Sequence, residues 1–189
     1  QTGPITFAAC DNGVIYDHGK LAQLLGDPST DIILWGTRGY ANAARHPQMY
    51  GWIELEGNNV TNVSVKAPLE NPQNDPIVIG TFTFKDPLLF NSVLDRLIAE
   101  DRRVNNEFYL DSCVNVAIEA GLSCKYFEVE HYLNWGTPND LKTFQYWQSC
   151  FHKWPFHPYR LESDRRVAVK RLVSLEKTYR QIKPTLPKA

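Results

Sequence analysis

Apolar residues in this chain fall in short blocks punctuated by glycine, proline, asparagine and aspartate, and the blocks differ in period. Ile5-Thr6-Phe7-Ala8-Ala9-Cys10 is an apolar run ending at Asp11-Asn12-Gly13, the pattern of a buried strand that delivers polar residues to its carboxyl end. Residues 20–25 are helix-compatible, Gly26-Asp27-Pro28 breaks that stretch, and Asp31-Ile32-Ile33-Leu34-Trp35 reads as a second buried strand. This β-α-β rhythm predicts an α/β fold and puts Asp11 where such sheets carry their chemistry.

Residues 50–55 and 60–66 flank the turn cluster Glu56-Gly57-Asn58-Asn59 and predict a β-hairpin. A proline-rich loop over 68–76 leads into a strand, Ile77-Val78-Ile79-Gly80-Thr81-Phe82-Thr83-Phe84. Gly80 weakens that strand unless it marks a bulge, tight packing or a close approach to its backbone. Ser92 and Asp95 resemble a capping box and predict a helix over about 91–102. A second helix is expected from Glu107, burying Cys113, Val116 and Ala117 before Gly121 stops it, with a strand over 124–129. Thr137-Pro138-Asn139-Asp140 then opens a helix running to about residue 152, with Thr137 as its cap.

The 189 residues suffice for one sizeable core, and no run reaches the roughly 18 apolar residues of a membrane span. A net charge of −1 advertises no polyanionic partner overall. From Pro155 the composition shifts: Arg160, Arg165, Arg166, Lys170, Arg171, Lys177, Arg180 and Lys183 face only Glu162, Asp164 and Glu176. Leu161, Val169, Leu172, Val173, Leu175 and Tyr179 can form an apolar face at helical spacing, which reads as a helix docked on the domain or on a partner subunit. Nucleic-acid binding is the alternative for this segment, though the chain as a whole is expected to have neither a membrane nor a nucleic-acid partner. Cys10, Cys113, Cys124 and Cys150 are too scattered for a zinc site or a disulfide scaffold and fit a reducing cytoplasm. No spacing pairs one of them with a histidine for nucleophilic catalysis. Asn59-Val60-Thr61 and Asn62-Val63-Ser64 match the glycosylation sequon and read as chance matches.

Four separated patterns, in order, resemble one family, the sugar-1-phosphate and related nucleotidyltransferases. They are Cys10-Asp11-Asn12; Tyr50-Gly51-Trp52 followed by Val65-Lys66-Ala67-Pro68; Ile79-Gly80-Thr81-Phe82; and Asn106-Glu107-Phe108-Tyr109-Leu110-Asp111 followed by Asn134-Trp135-Gly136-Thr137-Pro138-Asn139-Asp140-Leu141. The resemblance implies a Rossmann-like mixed sheet flanked by helices, of the GT-A-like nucleotide-diphospho-sugar transferase type. It implies that residues 1–154 form this α/β domain, incomplete at its N-terminus, with 155–189 a basic helical tail. The family's opening strand and Gly-x-Gly-x-Arg loop do not occur in this sequence. The start at Gln1, running at once into a strand, reads as a truncation, and these residues alone are expected to show little or no transferase activity.

By the same resemblance Asp11 holds a catalytic Mg2+, since nucleotidyl transfer needs a hard cation and a strand-end carboxylate can hold one. Lys66 neutralises a substrate phosphate, and Asn12, Gly51, Gly80, Glu107 and Asp111 contact substrate, the last two from one face of a helix. Asn134 takes the place of the family's second metal aspartate and Val65 the place of a sugar-binding glutamate, so metal and sugar contacts both depart from the pattern. Asp140 is expected to cap its helix. The implied partners are a nucleoside triphosphate and a phosphorylated sugar or alcohol, with further copies of the chain in a homo-oligomer. A GT-A glycosyltransferase and a non-catalytic domain that binds sugar nucleotides or joins subunits are the alternatives.

Overall fold

All six residues of strand β3 (Ile32–Thr37) are buried, as a strand at the centre of a sheet covered on both faces must be. The computed structural model describes residues 3–165 and 167–181. The chain divides into two compact units, residues 1–10 with 14–132 and residues 11–13 with 133–189, a division that falls ahead of the composition change at Pro155.

In the first unit β3 lies in a six-stranded mixed sheet with β1 (Ile5–Ala8), β4 (Gly51–Glu56), β5 (Asn59–Val65), β6 (Ile77–Phe84) and β7 (Cys124–Glu128), in the order β1-β6-β3-β7-β5-β4. β3 runs parallel to β7 and antiparallel to β6, and β1 pairs antiparallel with β6. The expected hairpin is β4–β5, turning at Gly57 with φ 62°. Helix α1 (His18–Gly26) covers one face, its Leu21, Leu24 and Leu25 packing on Ile33, Trp35, Ile79 and Phe127. α3 (Pro87–Ala99) and α4 (Leu110–Glu119) cover the other, where Val93, Leu97, Val114 and Ala117 meet Ile32, Leu34, Phe82 and Phe84. The alternation of β3 between these two sets is the period-2 geometry of a strand. A short helix α2 (Ala41–Arg45) adds a smaller cluster in which Ala43, Trp52 and Ile77 are buried.

Three sequence expectations need correction here. β1 is not a buried strand but an edge strand, with Ile5 and Phe7 half-buried and Thr6 and Ala8 exposed. α3 begins four residues before the expected start, because Asp86 caps it by accepting from the Leu88 N–H at 2.9 Å and Pro87 occupies its first position. α4 begins at Leu110, not Glu107: Asn105 and Asn106 adopt φ 50° and 65°, and Val104 and Glu107 exchange two backbone hydrogen bonds across them. Glu107 and Asp111 therefore do not share a helical face.

A two-stranded sheet pairs β2 (Asn12–Ile15) with β8 (His131–Asn134), so the Asn12-Gly13 segment is a strand and not only a turn. The second unit holds α5 (Pro138–Lys153) and α6 (Leu172–Gln181). They meet where the Ser149 hydroxyl donates to the Tyr179 carbonyl at 3.0 Å and the His152 ring lies 5.4 Å from that of Tyr179. Of the expected apolar face Leu161 is buried and Leu172, Leu175 and Tyr179 are half-buried, but Val169 and Val173 are 81% and 82% exposed and belong to the outer surface. Arg166 and Lys183 of the basic segment lie outside the described residues. No helix among the described residues is long and apolar enough to cross a membrane.

Candidate functional site

The first unit gathers Gly51, Lys66, Asp111 and Tyr109 where the β4–β5 hairpin meets the start of α4. Gly51 pairs with Val65 across the hairpin, and Lys66 follows with φ 60°, its N–H donating to the Tyr50 carbonyl at 3.1 Å. That left-handed turn aims the side chain so that Nζ donates to the Met49 carbonyl at 2.6 Å and lies 5.4 Å from the centre of the Tyr109 ring. Asp111, in the first turn of α4, fills the space over Gly51: a Cβ added there would lie 2.2 Å from Oδ2 and 3.3 Å from Val78 Cγ2. Only glycine fits beneath that carboxylate.

Burial pushes the Asp111 carboxyl up to about 6, and the neighbouring Lys66 charge opposes the shift without cancelling it. A partly buried acid beside a lysine, over a glycine that admits close approach, is the kind of perturbed group that marks functional sites. Glu107 joins the group indirectly. Its carboxylate accepts from the Tyr109 hydroxyl at 2.6 Å, a bond that raises the phenol's pKa above its ordinary value. Tyr109 thus touches both Lys66 and Glu107. It was not singled out in the sequence, where only its place between the two acids could have drawn attention.

Gly80 lies elsewhere on the sheet. Trp35 pairs with Thr81 and Gly36 with Val78, so Ile79 and Gly80 bulge out of the β3–β6 ladder, and Gly80 has φ 74°. Its carbonyl accepts from the Ala9 N–H at 3.0 Å. The bulge alone accounts for glycine at this position. A cavity of about 510 Å3, lined in part by Lys20, Asp27, Asn58 and Glu128, includes none of the residues implicated by the sequence. The hydroxyl of Tyr126, a residue 5% exposed with Arg38 5.5 Å from its ring centre, has no hydrogen-bond partner among the described residues. The four cysteines are free, and burial pushes the Cys113 and Cys124 thiols up to about 11 and about 12, which keeps both protonated at neutral pH.

The second unit brings Asp11 and Asn134 together over Gly136. A Cβ on Gly136 would lie 2.5 Å from Asp11 Oδ2 and 3.2 Å from Asn134 Oδ1, so both oxygens crowd the same α-carbon. The segments are clamped by the Trp135 N–H donating to the Asp11 carbonyl at 3.0 Å, and by the Trp135 ring lying over Gly13, where a Cβ would meet it at 2.9 Å. Asn134 is oriented from both ends: its Oδ1 accepts from the Gly136 N–H at 2.9 Å, and its Nδ2 donates to Asp140 Oδ2 at 3.3 Å. That same Asp140 oxygen accepts from the Thr137 hydroxyl at 2.7 Å, while Thr137 Oγ1 caps α5 by accepting from the Asp140 N–H at 3.2 Å. Thr137 is therefore the cap of α5, while Asp140 stands in the helix's first turn, where its charge favours the helix end, and its carboxylate also holds Asn134. Asn12, half-buried, opens β2 next to the exposed Asp11.

Whether these residues suit Mg2+ can be judged from the donors. One exposed carboxylate and one amide oxygen converge, and no group of three or more His, Cys, Asp or Glu side chains is set to hold a metal among the described residues. Mg2+ keeps several waters and commonly takes only one or two protein carboxylates, the rest coming from substrate phosphates. The donor set fits such an ion, loosely held.

The sequence matches no family model and no curated protein. Solved structures do match its fold. A nucleoside-diphosphate-sugar pyrophosphorylase from Vibrio cholerae RC9 aligns at a TM-score of 0.58 and 17% identity, over 75% of this chain and 55% of that one. A protein assigned as a glucose-1-phosphate thymidylyltransferase from Bacillus anthracis, solved in complex with sucrose, aligns at 0.55 and 13% identity, over 75% and 53%. The chain spans about half the length of these solved chains. At such identities the likeness is one of fold: an α/β, sugar-1-phosphate nucleotidyltransferase-like fold.

Proposed function

We propose that the protein to which this chain belongs is a nucleotidyltransferase that moves a nucleoside monophosphate from a nucleoside triphosphate onto a sugar-1-phosphate or related phosphorylated alcohol. A phosphate oxygen of the acceptor attacks the α-phosphorus, the bond from that phosphorus to the β,γ-diphosphate breaks, and pyrophosphate leaves with the electron pair. Asp11 and Asn134 would hold Mg2+, which when bound neutralises phosphate charge developing in such a transfer. Lys66 places a cation for the acceptor's phosphate, and Asp111, seated over the buried Gly51, offers a carboxylate to the acceptor's hydroxyls. Asn12, Gly80 and Glu107 are further candidate contacts.

One observation carries this reading: Asp11 and Asn134, far apart in sequence, converge on Gly136. The first experiment is pyrophosphate release by the full-length gene product, supplied with nucleoside triphosphates, Mg2+ and a panel of phosphorylated sugars and alcohols. Lys66→Met should raise the KM for the phosphorylated acceptor about tenfold or more, since a charge-assisted contact to phosphate contributes roughly 1.5–3 kcal/mol. An unchanged KM removes Lys66 from the site.

A non-catalytic domain that binds sugar nucleotides is the second reading. It is favoured by the engagement of Lys66 Nζ with the Met49 carbonyl and of Asn134 Oδ1 with the Gly136 N–H, which leaves each less available to a ligand. Calorimetric binding of nucleotide sugars by a full-length protein that releases no pyrophosphate would select it.

A further inference from the structure

Asp140 is the most deeply buried of the described charged residues, at 9% exposure. The helix gives no reason for that. Thr137 already caps α5, and an acid in a first turn favours the helix end from an exposed position as well. A buried carboxylate costs free energy unless donors meet it, and two side chains that precede it donate to Asp140 Oδ2: the Thr137 hydroxyl at 2.7 Å and Asn134 Nδ2 at 3.3 Å. The bond to Asn134 does nothing for α5, which begins only at Pro138.

What that bond does is choose a direction for an amide. The two ends of a carboxamide have nearly the same shape, so its neighbours decide which way it turns. On one side of Asn134 stands the Gly136 N–H, which only donates and therefore faces Oδ1, at 2.9 Å. On the other stands the Asp140 carboxylate, which accepts and therefore faces Nδ2. A third neighbour pulls the opposite way. Asp11 Oδ2 and Asn134 Oδ1 crowd the same point over Gly136, so a reversed amide would turn its N–H groups toward the Asp11 carboxylate. Two carboxylates thus compete for one donor. With Asp140 holding it, an oxygen and not an N–H stands beside Asp11, and since a carbonyl oxygen has two lone pairs, the Gly136 N–H leaves one to a ligand.

We propose that Asp140 is a positioning residue for the Asp11–Asn134 pair: it binds the Asn134 amide by its nitrogen and so keeps the oxygen turned to the face where Asp11 offers its own. A carboxylate has two equivalent oxygens and presents one whichever way it turns. An asparagine has a single oxygen, so a site built on Asn134 needs a residue that fixes its direction. This role rests on the reading of the pair as holders of a divalent cation, the class of ligand that an amide oxygen beside a carboxylate suits. Removing a partner of this kind behind a metal ligand typically lowers the affinity about 10–100-fold.

The test is Mn2+ binding to the full-length gene product, read from the free-ion signal in electron paramagnetic resonance, in a cycle of Asp140→Ala and Asn134→Ala, with Asp11→Ala marking the binding that belongs to this site. Asp140→Ala should weaken the Asp11-dependent binding about tenfold or more. Most of that loss should disappear where Asn134 is already alanine, since no amide is left to direct. Asp140→Asn, which loses the charge but keeps an acceptor oxygen, should retain most of the affinity. A loss of equal size in both backgrounds, or one shared by Asp140→Asn, would belong to helix stability or to charge alone; it overturns the role of Asp140 and leaves the Asp11–Asn134 pair in place. Mn2+ binding indifferent to both Asp11→Ala and Asn134→Ala removes the pair, and the role of Asp140 with it. Should Asp140→Ala not fold by circular dichroism, hydrogen exchange of the Asn134 side-chain amide in isotopically labelled wild type decides. Exchange slower than that of a free carboxamide supports the bond to Asp140, and exchange as fast overturns it.

Discussion

Replacing Asp111 with asparagine should make the protein more stable at neutral pH while weakening the proposed contact to the acceptor. The carboxyl sits over Gly51, where asparagine has the same shape, so packing is kept and only the charge is removed. Its folded pKa of about 6 lies above the ordinary 3.8. Because the folded state binds the proton more tightly, this group's contribution to stability is fully present below pH 3.8 and is lost as pH rises through about 6. The separation is worth about 3 kcal/mol in full, and since water reaches part of the residue we expect Asp111→Asn to gain about 2 kcal/mol at pH 7.5. That corresponds to roughly 4–8 °C in melting temperature for a chain of this size. The assay is thermal and urea unfolding of wild type and variant at pH 7.5 and pH 4.5. The advantage should shrink at the lower pH, where the wild-type carboxyl is already protonated in the folded state. A variant less stable at pH 7.5, or one whose advantage is the same at both pH values, refutes the reasoning. A stability gain accompanied by weaker ligand binding is the signature of a residue kept for function.

Gly36→Ala should cost about 3 kcal/mol or more in urea unfolding, because its Cβ would lie 2.5 Å from the Ile77 carbonyl oxygen and 2.7 Å from Tyr126 Cε2, and backbone cannot give way cheaply; unchanged stability would mean the sheet is looser than drawn. Thr137→Ala should lose about 1–2 kcal/mol by removing the α5 cap together with a hydrogen bond to Asp140, and Thr137→Ser should restore most of it. Equal losses for both would assign the effect to the methyl group. Gly136→Ala drives a Cβ toward Asp11 Oδ2 and should weaken Mg2+ binding about 10–100-fold in calorimetry with little change in melting temperature, the pattern of a disturbed ligand rather than a disturbed fold.

How far the sequence could be read depended on whether a signal was local. Thr137-Pro138 announced α5 because the cap and the first helical residue are adjacent, and Thr137 does cap it. Asp86-Pro87 is the same signal at α3, but Ser92 and Asp95 drew the start to the middle of the helix, where their spacing is incidental. The Asn105-Asn106 pair could have separated Glu107 from α4, since asparagine is the non-glycine residue that most readily takes positive φ. The fully buried strand β3 and the hairpin were legible from hydrophobic runs and turn residues, whereas the edge position of β1 was not, because pairing order is a non-local property. In the candidate site, the resemblance picked out Gly51, Lys66 and Asp111, and the fold brings these three together. The contact of Asp140 with Asn134, and of Tyr109 with Lys66 and Glu107, depend on side-chain directions that spacing does not encode.

Asp11 is the residue on which the proposed transfer depends most. Pyrophosphate release should be measured on the full-length gene product and on its Asp11→Ala variant, with Mg2+, a nucleoside triphosphate and the phosphorylated acceptor that the panel identifies. We predict acceptor-dependent release by the wild type and a loss of about a hundredfold or more in the variant, as expected when a charge that stabilises the transition state is removed. Undiminished turnover by Asp11→Ala would contradict the proposed role of the Asp11–Asn134 pair.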